Sequence, residues 1–71
     1  MITLDTIQSR LAEAIRQSEY SQSEIARRVG IKQSQISCYK HGKKMPALDT
    51  FARLCEVLEV DPAYILGIDN Q

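Results

Sequence analysis

No stretch of this chain approaches the ~18 consecutive apolar residues that a membrane-spanning helix needs. Its first residues, Met1-Ile2-Thr3-Leu4-Asp5, lack the basic start and long apolar run of a secretory signal. Cysteine is scarce, with Cys38 and Cys55 the two present. A secreted domain this small usually carries about two to four disulfides, so two lone thiols fit a reducing, cytoplasmic setting. His41 is the single histidine, and neither a carboxylate pair nor a glycine-rich phosphate loop accompanies it. That leaves nothing from which to build a catalytic centre, so an enzyme is not expected. Cys38 and His41 stand at i and i+3, but a structural zinc site wants about four ligands and no others lie nearby, so neither metal nor cofactor is expected. Strand-like alternation, internal repeats, low-complexity tracts and Ser/Gly-rich linkers are also missing, which removes sheets, solenoids and collagen-like structure.

What remains is short and apolar enough to fold. The 71 residues, 44% apolar, are those of a globular protein and too hydrophobic for a disordered one. A chain of this length reads as one domain over residues 1–71, without room for a separate ligand-sensing domain. A domain of this size buries only ~60% of its unfolded surface, so its stability is marginal and a partner subunit helps.

Net charge is zero, which counts against nucleic acid only while it is taken as a total. Residues 1–20 carry two basic and three acidic side chains. Residues 21–45 carry Arg27, Arg28, Lys32, Lys40, Lys43 and Lys44 against Glu24 alone, a net of +5. Residues 46–71 carry Arg53 against Asp49, Glu56, Glu59, Asp61 and Asp69, a net of −4. A basic middle with an acidic end is expected to give modest sequence-blind DNA affinity, the acidic part facing away from phosphates.

Apolar residues recur at helical spacing between the punctuation marks Gly30, Gly42, Pro46, Pro62 and Gly67. Ile7, Leu11, Ala14 and Ile15 predict a helix over about 5–18. Ser21-Gln22-Ser23-Glu24 predicts a capping box opening a second helix of about eight residues, inward at Ile25, Ala26 and Val29 and closed at Gly30. Residues 33–41 predict a third, inward at Ile36 and Tyr39 and ended by Gly42. Leu48, Phe51, Ala52, Leu54, Cys55 and Leu58 predict a fourth over about 48–59, and Asp61-Pro62 starts a brief fifth that stops at Gly67. The expected fold is all-α, a compact five-helix bundle.

Two short helices joined by a tight glycine turn, over about 21–42, form a helix-turn-helix, which suits the major groove of DNA. The third helix turns Gln33, Ser34, Ser37, Cys38 and His41 outward, with Lys32 just before it, and no carboxylate occurs between Ile25 and Ala47. A face meant only for water usually mixes both charge signs. Glutamine can bond an adenine edge, serine several bases, and lysine guanine or phosphate. Amides at the start of the second helix, with Gln22, can hold a phosphate, and Lys43 and Lys44 follow in a loop suited to the same charge. Arg27 and Arg28 point away from the apolar face, into solvent.

These residues resemble the Cro/repressor-type helix-turn-helix family of phages and bacteria. The likeness runs over Ser21-Gln22-Ser23-Glu24-Ile25-Ala26, Val29-Gly30-Ile31, Gln33-Ser34-Gln35-Ile36-Ser37, Tyr39, Gly42 and Pro46, and on through Phe51, Leu54, Leu58, Val60, Tyr64, Ile65 and Leu66. It covers roughly residues 5–67. The resemblance implies a lambda-repressor-like domain, of phage or prophage type, that binds double-stranded operator DNA as a homodimer and represses transcription. It places Gln22 on a phosphate, Gln33 and Ser34 at base-reading positions, and Lys32, Ser37 and Cys38 where sequence choice varies. His41 and Lys43 lie where the family touches phosphate, and Ser21, Gln35 and Lys44 are expected to join them and Gln22 on phosphates. Two positions depart from the family: Lys40 stands where a glutamate is common, leaving it to face Glu13, Glu19 or DNA, and the Cys38 thiol is unusual opposite bases. An antitoxin, a restriction-controller protein, a protein-interaction module and the amino-terminal domain of a longer repressor share the pattern as alternatives.

Overall fold

The structure, a computed structural model, describes residues 2–68; the charge of Asp69 and the tail from Asp69 to Gln71 lie outside the described residues. Five helices follow in order: α1 Leu4–Gln17, α2 Gln22–Val29, α3 Gln33–Lys40, α4 Leu48–Leu58 and α5 Pro62–Leu66. There is no strand among the described residues.

Each helix starts where its sequence can satisfy exposed amides. The Thr3 hydroxyl accepts from the Thr6 N–H at 3.2 Å, so α1 begins one residue before the apolar spacing implies. The Ser21 hydroxyl accepts from the Glu24 N–H at 3.2 Å and opens α2. The expected capping box is only half made, because the Glu24 carboxylate turns to Arg27 and Arg28 instead of reaching back to the Ser21 backbone. Two guanidiniums outcompete one backbone N–H for a carboxylate. Asp61 accepts from the Ala63 N–H at 2.9 Å, with Pro62 in the first turn of α5.

Four helices end alike. The N–H groups of Ile31, Lys43, Val60 and Ile68 reach back five residues to the carbonyls of Ala26, Cys38, Cys55 and Ala63, at 2.9 to 3.0 Å. That closure needs a left-handed residue, supplied by Gly30, Gly42 and Gly67 in three cases. In α4 it falls on Glu59, at φ 56°, which carries no glycine signal.

Arginines complete these ends from neighbouring helices. Arg53 of α4 donates to the Val29 carbonyl of α2 at 3.2 Å, and Arg16 of α1 to the Lys40 carbonyl of α3 at 3.4 Å. Arg10 of α1 donates to the Tyr64 carbonyl of α5 and lies over that tyrosine's ring, 4.4 Å from its centre. Carbonyls in a helix's last turn lack intrahelical donors, and the helix dipole favours a cation there.

Inside, α1 packs on α3 and α5, and α2 packs on α3 and α4. The largest fully buried side chains are Leu11, Ile25, Ile36, Leu54 and Ile65, one from each helix. Val29, Tyr39, Phe51 and Cys55 join them, and burial pushes both the Tyr39 hydroxyl and the Cys55 thiol above their ordinary ranges. Leu48 is a correction: expected on the apolar face of α4, it is 85% exposed at that helix's first position. The first buried residue of α4 is Phe51, one turn later, so the helical spacing of apolar residues continues past the part of the helix that the core covers.

Candidate nucleic-acid interface

Eight residues of α3 span about 12 Å, close to the width of a DNA major groove. Ile36 and Tyr39 are buried and fix the rotation of the helix. Gln33, Ser34, Ser37, Cys38 and His41 therefore share the opposite side, at helical spacing. Gln33, Ser34 and His41 are exposed, and Ser37 and Cys38 are half-buried near its edges.

At the leading end of α3 no side chain caps the helix. Lys32 occupies the cap position, exposed, and a lysine head has no lone pair to offer an amide. Gln35 fills part of the role from the other direction, its Oε1 accepting from the Lys32 N–H at 3.2 Å. The Gln35 Nε2 group keeps its donors for other partners. The Gln35 N–H is taken by the Lys32 carbonyl at 3.0 Å, which leaves the Gln33 and Ser34 amides open beside an exposed cation.

The start of α2 offers a second group of donors. Ser21 Oγ, besides capping Glu24, lies 3.1 Å from Ser23 Oγ. Gln22 is half-buried, and its Oε1 accepts from the Lys40 ammonium at 3.2 Å. This settles where Lys40 faces: it crosses to α2, and neither Glu13 nor Glu19 holds it. Glu13 is occupied by Arg16 at 3.0 Å and by the Gln17 amide at 2.7 Å.

Beyond α3, His41 Nδ1 sits 2.9 Å from the Ser37 carbonyl. A carbonyl only accepts, so Nδ1 carries a proton, and Nε2 becomes a donor only in the doubly protonated ring. His41 and Lys40 also line an open cleft against Asp5, Ser9 and Arg16 of α1. Lys43 and Lys44 follow, both exposed and without an ion pair among the described residues.

The basic middle of the chain is less uniform than its count implies. Arg27 and Arg28 both clamp Glu24, Arg28 Nε at 2.7 Å, and Arg28 also lies 4.3 Å from the centre of the Tyr20 ring. The Arg27 guanidinium first, then that of Arg28, holds the Glu24 carboxyl down at about 2. Arg27 and Arg28 are therefore engaged, and the cations beside α3 are Lys32, Lys43 and Lys44, with Lys40 bound to Gln22. Sequence reading left Lys40 to Glu13, Glu19 or DNA and did not reach Gln22, and it missed the arginine clamps; a lysine standing where a glutamate is common was the available signal.

A family model described as a helix-turn-helix domain matches residues 9–67. None of the curated proteins matches the chain by sequence. Solved structures share its fold, and two of them are repressors. One is the solution structure of the SOS-response transcriptional repressor LexA from Eubacterium rectale, at TM-score 0.78 and 18% identity, covering 94% of this chain and 71% of that one. The other is the crystal structure of the P22 c2 repressor protein in complex with synthetic operator 9T in the presence of Tl+. It aligns at TM-score 0.74 and 21% identity, covering 89% of this chain and 96% of that one. No helix among the described residues is long and apolar enough to cross a membrane.

Proposed function

Because the chain belongs to the helix-turn-helix domain family, we propose that it is a sequence-specific DNA-binding transcriptional regulator, acting as a repressor. The observation that carries this is the outward side of α3. It is polar and free of carboxylates, it opens on the Gln33 and Ser34 amides without a side-chain cap, and Lys32 precedes it while Lys43 and Lys44 follow. A solvated face of ordinary composition would interleave acids.

In this proposal α2 and α3, over about 21–42, are the reading unit. Gln33 and Ser34 contact base edges, and Lys32, Ser37 and Cys38 tune the choice. Ser21, Gln22, Gln35, His41, Lys43 and Lys44 position the domain on phosphates. The fold it shares with a repressor crystallised on operator DNA supports the same target class. The chain binds and does not catalyse, and it works in the cytoplasm, where the DNA is.

A second copy completes the operator complex. Two α3 helices enter successive major grooves about 34 Å apart on a near-palindromic site and exclude the transcription machinery by occupancy. The exposed apolar side chains Ile2, Leu4, Tyr64 and Ile68, from the start of α1 and from α5 and its end, support self-association. Selection of bound duplexes from a random pool tests the proposal: enrichment of a two-half-site motif is expected, and a pool that stays random overturns it.

A further inference from the structure

We infer that Lys40 is a positioning residue: it orients the Gln22 side chain so that the amide presents donors, not its oxygen, to a DNA phosphate. The inference rests on the proposed DNA-binding function.

Lys40 is the last residue of α3 and Gln22 the first of α2, so 18 positions of chain separate them. The ammonium and the Gln22 Oε1 are 3.2 Å apart in a partly buried contact. The Lys40 backbone is held as well, its carbonyl accepting from Arg16 Nη1 at 3.4 Å, and Arg16 is itself paired to Glu13. The cation thus hangs from a point fixed on two sides.

The chemistry of the pair has one solution. An ammonium has three donors and no acceptor, so the carboxamide must turn its oxygen toward Lys40. The Nε2 group then lies on the far side of the amide from the lysine, both hydrogens available. A glutamine without such a partner rotates freely and presents oxygen as readily as nitrogen. An oxygen facing a phosphate repels it, whereas Nε2 joins the Gln22 and Ser23 amides of the first turn of α2 as a further donor. Lys40 thereby selects the productive half of the Gln22 rotation without needing to touch DNA.

A double-mutant cycle on the full chain, with a duplex enriched by selection, reads this out. Lys40→Met keeps the stem and removes the donor; it is expected to weaken binding about fivefold, on the scale of one hydrogen bond. In a Gln22→Ala background the same change is expected to cost less than about twofold, because the residue it acts through is gone. The slope of affinity against salt stays unchanged, and Lys40→Arg restores most of the loss. Equal losses in both backgrounds overturn the inference: with a slope reduced by about 0.9 they mean direct phosphate contact, and with a lowered melting temperature a folding role.

The free protein supplies a readout independent of DNA. Lys40→Met is expected to displace the Gln22 side-chain amide resonances, assigned through Gln22→Ala, and unchanged resonances overturn the inference. If Lys40→Met does not fold, slow solvent exchange of the Lys40 ammonium in the unmutated protein supports the contact, and fast exchange contradicts it. An unmutated chain that binds no duplex overturns the proposed function and the phosphate role of Gln22 together, whereas unchanged Gln22 resonances remove Lys40 alone.

Discussion

The Arg53 guanidinium donates to the Val29 carbonyl, 3.2 Å away, and so fastens the C-terminal end of α2 to the face of α4. Val29 immediately precedes the glycine turn into α3, so this contact fixes the point from which the outward-facing helix departs. Arg53 also pairs with Asp49 at 2.9 Å, but that pair is exposed, with 71% of the Asp49 side chain in solvent. Arg53→Met is expected to lower stability by about 1 kcal/mol, and Asp49→Asn by no more than about 0.5 kcal/mol. Thermal melts of both variants check the ranking; equal losses mean that the ion pair, not the carbonyl contact, carries the effect.

Glu59 closes α4 at φ 56°, a conformation that costs an L side chain about 1–2 kcal/mol. It also places a negative charge at the negative end of a helix whose last turn holds no cation. Glycine removes both penalties while adding about 0.4–1 kcal/mol of unfolded-state entropy. Glu59→Gly is expected to stabilise the fold by about 0.5–1 kcal/mol, raising the melting temperature several degrees. A melting temperature that falls contradicts this account of the α4 end.

Glu24 gives the fold an acid dependence of known sign. Its carboxyl lies at about 2 in the folded chain, because Arg27 and Arg28 bind the ionised form. An unfolded glutamate titrates near ~4.3. A depressed folded value means that the contribution is fully present above ~4.3 and is lost as pH falls through about 2. The group is at the surface, so the effect is small. The difference in melting temperature between the unmutated chain and Glu24→Gln is expected to shrink as pH falls from 5 to 2, and a difference that stays constant over that range contradicts the assignment.

Lys43 and Lys44 are the exposed cations that follow α3, whereas Arg27 and Arg28 are engaged with Glu24. Lys43→Ala and Lys44→Ala are each expected to weaken binding to all sequences alike. At least one of them lowers the salt slope by about one unit. Arg27→Ala is expected to leave the slope unchanged. Titrations from 50 to 200 mM salt, within the range where such slopes are measured, separate the two groups. A slope that responds to Arg27 and to neither lysine reverses the placement of the DNA-facing charge.

Much of the fold is legible in local sequence because its signals are local. Gly30 and Gly42 mark left-handed turns, Asp61-Pro62 marks a helix start, and Ile25, Ile36 and Leu54 repeat at the spacing that buries them. The polar side of α3 follows once Ile36 and Tyr39 set its rotation. What escaped depends on partners far apart in the chain. Arg10 reaches Tyr64, Arg53 reaches Val29 and Lys40 reaches Gln22 across 54, 24 and 18 positions, and no periodicity encodes those distances. Two misses were competitions between local options. Glu24 can close a capping box or bind arginines one turn on, and the doubled charge wins. Leu48 fits the spacing of α4, yet it is exposed, one turn before Phe51, the first buried residue of that helix.

Selection from random double-stranded DNA, run in parallel with the unmutated chain and with Gln33→Ala, tests most directly whether the outward side of α3 reads sequence. The unmutated chain is expected to enrich a near-palindromic motif with half-sites about 10 base pairs apart, bound by two chains when the complex is sized. Gln33→Ala is expected to keep that spacing and stoichiometry while relaxing one position in each half-site, a loss of about 1–3 kcal/mol at that base pair. The same motif at the same stringency from both proteins would contradict the account.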